Sequence, residues 1–273
     1  MKQTKPILRY TLSVAIAAVL APAMAQAQEA APAPAPAATE RQDATTLDTV
    51  VVTGSAAGGV KKIEASYNIV TATAEQIKQA NPKSTADLLK ISPGMWPEST
   101  GGQTGANIEI AGFPGGGDAP YFSTLLMGSP LYGMPTLSFF ETTTLFRLDD
   151  TIESVEILQG GPSVVFADGQ MGATANFFLK TGTEEPTGSV GVTYGDEGLY
   201  RVDGFAGFKV AEGWYGSVGG FWRTSDGVRS PEFKADEGGQ LTATLAHDFD
   251  KGSMVLYARY LNDKNQFITP IPL

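Results

Sequence analysis

Between residues 189 and 261 the chain repeats one pattern five times. In 189–194 Val190, Val192 and Tyr194 share a face. In 200–210 Val202, Ala206, Phe208 and Val210 oppose Arg201, Asp203 and Lys209, and in 214–224 Trp214, Val218 and Trp222 oppose Ser217 and Arg223. In 241–249 Leu241, Ala243, Leu245 and Phe249 oppose Thr242, Thr244 and Asp248. In 254–261 Met254, Leu256, Ala258 and Tyr260 oppose Arg259. Successive side chains of a strand point to opposite faces, so each segment reads as a strand with one apolar and one polar face. Such strands with aromatics near their ends, joined alternately by short turns (212–213, 250–252) and a longer loop (225–239), carry the transmembrane β-barrel signature. A soluble sandwich would alternate in the same way. Connector lengths favour the barrel, an argument weakened slightly by the connector 195–198, which is short where a barrel wants an external loop.

Five strands cannot close on themselves. The smallest usual barrel has about eight, and an open edge in lipid would leave backbone groups unpaired at several kcal/mol each. Residues 186–273 therefore read as the first strands of an incomplete barrel, ending in a polar, Pro-rich loop over 262–273. The chain is then the N-terminal part of a longer protein.

The other end carries an address. Residues 1–27 combine a positive start (Lys2, Lys5, Arg9), an apolar run of Leu, Ala and Val over 12–21, and small-x-small cleavage sites around Ala23, Ala25 and Ala27. That is a secretory signal peptide, too short in its apolar run to be a membrane anchor. Its removal leaves 16 basic against 29 acidic residues, a net charge of −13. So acidic a chain is a poor nucleic-acid binder. With no Cys, disulfides and thiolate metal sites are excluded.

Residues 28–46, rich in Ala and Pro, read as a disordered linker. The β-branched segment 47–54 (LDTVVVTG) follows abruptly. It is either an edge strand of the next domain or a strand offered to another protein's sheet. Residues 60–184 then read as a small α+β domain. Residues 67–70 (YNIV) begin the folded part, Thr73 and Gln76 match a capping box, and Asn81-Pro82 ends that helix. Ser84 or Thr85 caps a second helix bearing Leu88, Leu89 and Ile91, stopped by Pro93-Gly94. Asn107 to Ile110 reads as a strand.

Residues 152–182 (IESVEILQGGPSVVFADGQMGATANFFLKTG) place two β-forming runs, 154–158 and 175–180, around a turn dense in Gly, Pro and small residues. Gly169 and Gly172 there permit positive φ or close backbone approach. The order closely resembles the end of the plug domain of TonB-dependent outer-membrane receptors. Gln159 and Ala111 stand where that family usually has Arg, and Gly161 intervenes before Pro162. The earlier order, short helix, ADLLK, Pro-Gly, strand and Gly112-Phe113, is similar to the plug as well. Asp48, Thr49, Val50, Val51, Val52 and Thr53 look like a TonB box.

The resemblance implies an α+β plug, a small mixed sheet with short helices, followed by antiparallel transmembrane β-barrel strands. It implies active uptake of a scarce small molecule, typically a ferric siderophore, across the bacterial outer membrane, with TonB as the periplasmic energy transducer. The plug apices of that family touch ligand, and here they present Phe113, Tyr121, Tyr132, Met134, Phe139 and Phe140. No room is left before the box for the extra periplasmic domain of signalling members. A passive outer-membrane channel and a soluble envelope binding module are the alternatives.

Chemistry is sparse. The Gly-rich run 112–120 lacks the Gly-Lys-Ser/Thr of a phosphate loop. One His, His247, and no Cys leave no catalytic triad with a choice of base and no His-based metal cluster. The pairs Asp149/Asp150 and Glu153/Glu156 read as solvated faces or caps. Nothing calls for an enzyme, a catalytic residue, a cofactor or a metal.

Overall fold

The computed structural model describes residues 50–51, 60–61, 68–99, 106–113, 121–132, 142–160 and 172–266. The expected signal peptide, the linker, most of the 47–54 segment and the turn at 161–171 lie outside them.

The first sheet grows from the run at 152–159. Strand β8 (Ile152–Gln159) is central, with Val155, Ile157 and Leu158 all buried, so both of its faces are covered. On one side it pairs antiparallel with β3 (Asn68–Thr73) and on the other with β9 (Ala173–Leu179). Strand β6 (Phe122–Leu126) runs parallel to β9, and the two-residue β7 (Ser129–Pro130) closes the edge. The order β3-β8-β9-β6-β7 is thus mixed. A ladder of β4 (Met95–Ser99) and β5 (Ala106–Ile110) and the pair β1 (Val50–Val51) and β2 (Val60–Lys61) complete this half. Strand β4 holds Pro97 and is not anticipated by its residues; a proline is tolerated there because the ladder is only two strands wide.

Helix α1 (Ala74–Ala80) starts as its sequence demands. Thr73 Oγ1 accepts from the Gln76 N–H (3.4 Å) and Gln76 Oε1 accepts from the Thr73 N–H (3.0 Å), while Asn81 ends it at φ 44°. The second helix is a 3-10 helix, Asp87–Ile91. Ser84 Oγ accepts from the Asp87 N–H (3.0 Å), whereas Thr85 turns inward and donates to the Phe146 carbonyl (3.0 Å). Leu88 and Leu89 join Met95, Ile108, Val155 and Ile157 in the core, where Phe146 and Phe177 meet edge to face at 4.7 Å. Gly172 is required by close approach rather than by φ. A Cβ there would lie 2.5 Å from the Tyr121 carbonyl, beside the hydrogen bond that carries Ala173 into the sheet.

The second sheet is an antiparallel meander of β10 (Thr187–Gly195), β11 (Leu199–Ala211), β12 (Trp214–Ser225), β13 (Asp236–Phe249) and β14 (Gly252–Lys264). The register puts Val192, Val202 and Trp222 on one face, and Ala243, Ala258 and Val218 on the same one. On that face Val192, Trp222, Leu241, Leu256 and Tyr260 are exposed. On the other, Ser217, Phe221, Arg223, Gln240, Thr242 and Thr244 are buried. Two strands outrun their sequence reading. Strand β13 begins at Asp236, so Gly238 and Gly239 sit in a ladder rather than a loop, and β14 continues through Asn262, Asp263 and Lys264. Among the described residues no helix is long and apolar enough to cross a membrane, which leaves crossing by strands untouched.

Candidate functional site

Of the expected box, Val50 and Val51 are described. Their backbone pairs antiparallel with Lys61 and Val60. Val50 and Val51 are therefore paired as a strand, and β2 occupies one of its edges; the two-stranded order leaves the other edge of β1 without a neighbour among the described residues. Asp48, Thr49, Val52 and Thr53 lie outside the described residues.

The aromatic set divides. Phe113 and Tyr121 come together, rings tilted at 5.0 Å, and both pack half-buried on the core of the first sheet. Tyr132 stands 68% exposed just after β7. Met134, Phe139 and Phe140 lie outside the described residues. The hairpin presenting Tyr132 is firmly held: Gly128 N–H donates to Asn176 Oδ1 (3.0 Å) and Met127 N–H to the Phe177 carbonyl (2.8 Å). Met127, at φ 52°, points back to accept from the Leu179 N–H (3.1 Å) and belongs to the plug core rather than to any ligand face.

The first sheet sits on the polar face of the meander, and residues that sequence reading passed over make the joint. Arg147 Nε lies 2.7 Å from Asp263 Oδ2, and its backbone N–H and carbonyl are both taken by the side chain of Gln240 (3.0 and 2.9 Å). Asp149 and Asp150, read as solvated or as caps, are found in this joint. Asp149 closes an Asx turn into β8 rather than capping a helix, accepting from the N–H and hydroxyl of Thr151, and burial pushes its carboxyl above the usual carboxylate range despite those donors and Gln240. Where the chain leaves for β10, the Lys180 carbonyl accepts from Ser217 (3.0 Å) and Thr244 (3.2 Å). Beside it the Lys209 ammonium, 2.6 Å from Glu184, holds that carboxyl below its ordinary range. Arg147 and Asp263 are 116 residues apart, and no local pattern joins them.

His247 lies on β13, stacked at 4.2 Å on Trp214 with Nδ1 2.9 Å from the Gly213 carbonyl, away from this joint. Among the described residues no three His, Cys, Asp or Glu side chains group as a metal site.

A small mixed sheet seated against the polar face of an antiparallel meander is a specific arrangement, and residues 61–174 match the family model of the TonB-dependent receptor plug domain. That stretch of the chain is a TonB-dependent receptor plug domain. No curated protein matches it. Among solved structures it is similar to the ferric yersiniabactin uptake receptor FyuA from Yersinia pestis, at 20% identity and TM-score 0.58 over 71% of this chain and 31% of that one. It is also similar to the pyoverdine receptor FpvA from Pseudomonas aeruginosa, at 17% identity and TM-score 0.61 over 80% and 31%. A third is the alcaligin receptor FauA from Bordetella pertussis, at 16% identity and TM-score 0.58 over 80% and 35%. The chain spans about a third of the length of these receptors. The fold is thus a plug followed by antiparallel strands that do not close among the described residues. The first sheet is the plug, and β10 to β14 are the wall.

Proposed function

We propose that this chain belongs to a receptor performing TonB-dependent active uptake of a ferric siderophore across the bacterial outer membrane. The observation that carries the reading is the plug seated on the polar face of a meander whose other face is apolar. A passive pore has no use for a body filling its lumen. The solved receptors of similar fold take up or bind yersiniabactin, pyoverdine and alcaligin, which suggests the ligand class. Phe113, Tyr121, Tyr132, Met134, Phe139 and Phe140 are the candidate ligand contacts, and Tyr132 is exposed among them. TonB would add a strand to the segment 48–53 by main-chain hydrogen bonds and pull on the plug. No covalent chemistry is needed, because the work is mechanical.

The test is uptake of labelled ferric siderophores by cells bearing the full-length receptor. Accumulation should stop when an uncoupler collapses inner-membrane energy, while surface binding persists. Uptake indifferent to the uncoupler would replace this reading with a passive channel.

A further inference from the structure

Residues 147–151, between the 3-10 helix Thr142–Leu145 and β8, meet every strand of the five-stranded wall. From β10, Ser189 donates to Asp150 (2.7 Å), and from β11, Arg201 donates to the Leu148 carbonyl (2.7 Å). In β12, Gly219 leaves the room that Thr151 fills: a Cβ there would lie 2.7 Å from Thr151 Cγ2. From β13, Gln240 holds both ends of the Arg147 peptide and also donates to Asp149 (2.8 Å). From β14, Asp263 takes the Arg147 guanidinium.

We propose that residues 147–151 are the latch fastening the plug to the wall, and that Asp263 is the positioning residue whose contact with Arg147 must open before the plug can leave. The geometry gives the latch one end tied through the chain itself and one end held to the wall by side chains. The Thr151 carbonyl accepts from the Lys180 N–H (2.8 Å), next to the point where the plug is covalently continuous with β10, so that end cannot lift alone. Arg147 is at the other end.

The charges also sort the partners. Asp263, with its side chain 0% exposed, is shared between two guanidiniums. Arg223 of β12 engages both of its oxygens (Nε to Oδ1 3.0 Å, Nη2 to Oδ2 2.7 Å) and has Asp236 at 3.7 Å besides. Arg147 donates to Asp263 through Nε (2.7 Å) and also to the Thr144 carbonyl (2.5 Å), the Phe146 carbonyl (3.4 Å) and Asn265 (3.2 Å). When the joint opens, the wall keeps its bidentate pair and the plug takes away one cation. Breaking a buried ionic contact returns solvation to both ions as water enters, so the net cost is far below the bare attraction. The plug core, built on Phe146, Phe177 and the leucines, gains nothing comparable from water. The joint therefore parts before the plug dissolves.

This inference rests on the uptake reading only in requiring that a plug sit in a wall, and its test uses neither ligand nor TonB. The full-length receptor is placed in liposomes, and two quantities are read: hydrogen exchange at the amides of Arg147, Ile152 and Lys180, and influx of a hydrophilic dye. Arg147→Gln and Asp263→Asn should each raise both by about tenfold or more, as loss of one partner of a buried pair does. The double variant should be no worse than Asp263→Asn alone, because both changes break one contact. Asp263→Glu should recover most of the wild-type values. If Asp263→Asn does not form a heat-modifiable barrel, Arg147→Gln, confined to the plug, decides alone. A folded Arg147→Gln receptor with wild-type exchange and influx, or single effects that simply add, overturns the latch. Absence of energised uptake by the wild type would count against the proposed function and leave this result standing.

Discussion

At Asp149 three donors and burial pull in opposite directions, and burial wins. Its carboxyl is held above the ordinary range, so the folded protein binds this proton more readily than the unfolded chain does. The stability it contributes is full below the ordinary Asp pKa and drains away as pH rises through the raised value. Asp149→Asn removes that slope. In denaturant unfolding of the full receptor, wild type should gain on the variant as pH falls from about 7 to about 4. Parallel pH profiles for the two would refute the burial argument. Two aromatic residues provide a second contrast. Tyr132 is largely exposed, so Tyr132→Ala should weaken ligand binding while changing stability by less than about 0.5 kcal/mol. Phe113 packs on Tyr121 and the core, so Phe113→Ala should cost about 1–3 kcal/mol of plug stability. Binding titrations alongside unfolding separate the roles; unchanged affinity in Tyr132→Ala would move the ligand to the barrel loops.

Among the elements, β1 is the smallest and the most exposed to test. Its residues announce a strand, and the structure supplies an intramolecular neighbour, β2, where the sequence suggests a segment left unpaired until TonB arrives. Short ladders of this kind are marginal, so the pairing sets register without preventing exchange. Val51→Pro removes a main-chain donor and fixes φ. Uptake should collapse while siderophore binding at the cell surface stays within about twofold of wild type, a difference worth less than about 0.5 kcal/mol. Equal loss of binding and uptake would make β1 a part of the plug fold instead. Strand β14 shows the opposite case, since Asn262, Asp263 and Lys264 look like loop and stay in the ladder. A carboxylate bridging two guanidiniums holds that end in register.

For the whole molecule the decisive property is that the meander has two unlike faces. Leu256 lies on the apolar face, 55% exposed, and Arg259 on the other, its guanidinium 5.5 Å over the Phe146 ring of the plug. An arginine on a lipid face costs about 2–4 kcal/mol near the bilayer midplane. Leu256→Arg should therefore lower the yield of folded, heat-modifiable receptor in vesicles. Arg259→Leu should leave insertion intact and loosen only the plug contact. The reverse order would invert the face assignment and favour a soluble sandwich.

How much of this was legible depends on the range of the interactions. Strand alternation, the Thr73–Gln76 capping box, the Asn81 stop and the plug order are local, set by side-chain period and by hydrogen bonds a few residues long. They can be read without coordinates, and the resemblance to the plug domain rests on the last of them. What surrounds Asp263 cannot. Its segment is polar and looks like a loop, and Gly238 and Gly239 look like a turn. Asp149 looks solvated. Each is reversed by a partner outside its own segment: Arg147, 116 residues from Asp263; Gln240, 91 residues from Asp149; and β14 for the glycines, where Gly238 pairs with Asp263 and Gly239 with Asn262. A buried charge is tolerated only where its counter-charge and donors converge. That convergence belongs to the packing of plug on wall, which no window of the sequence contains.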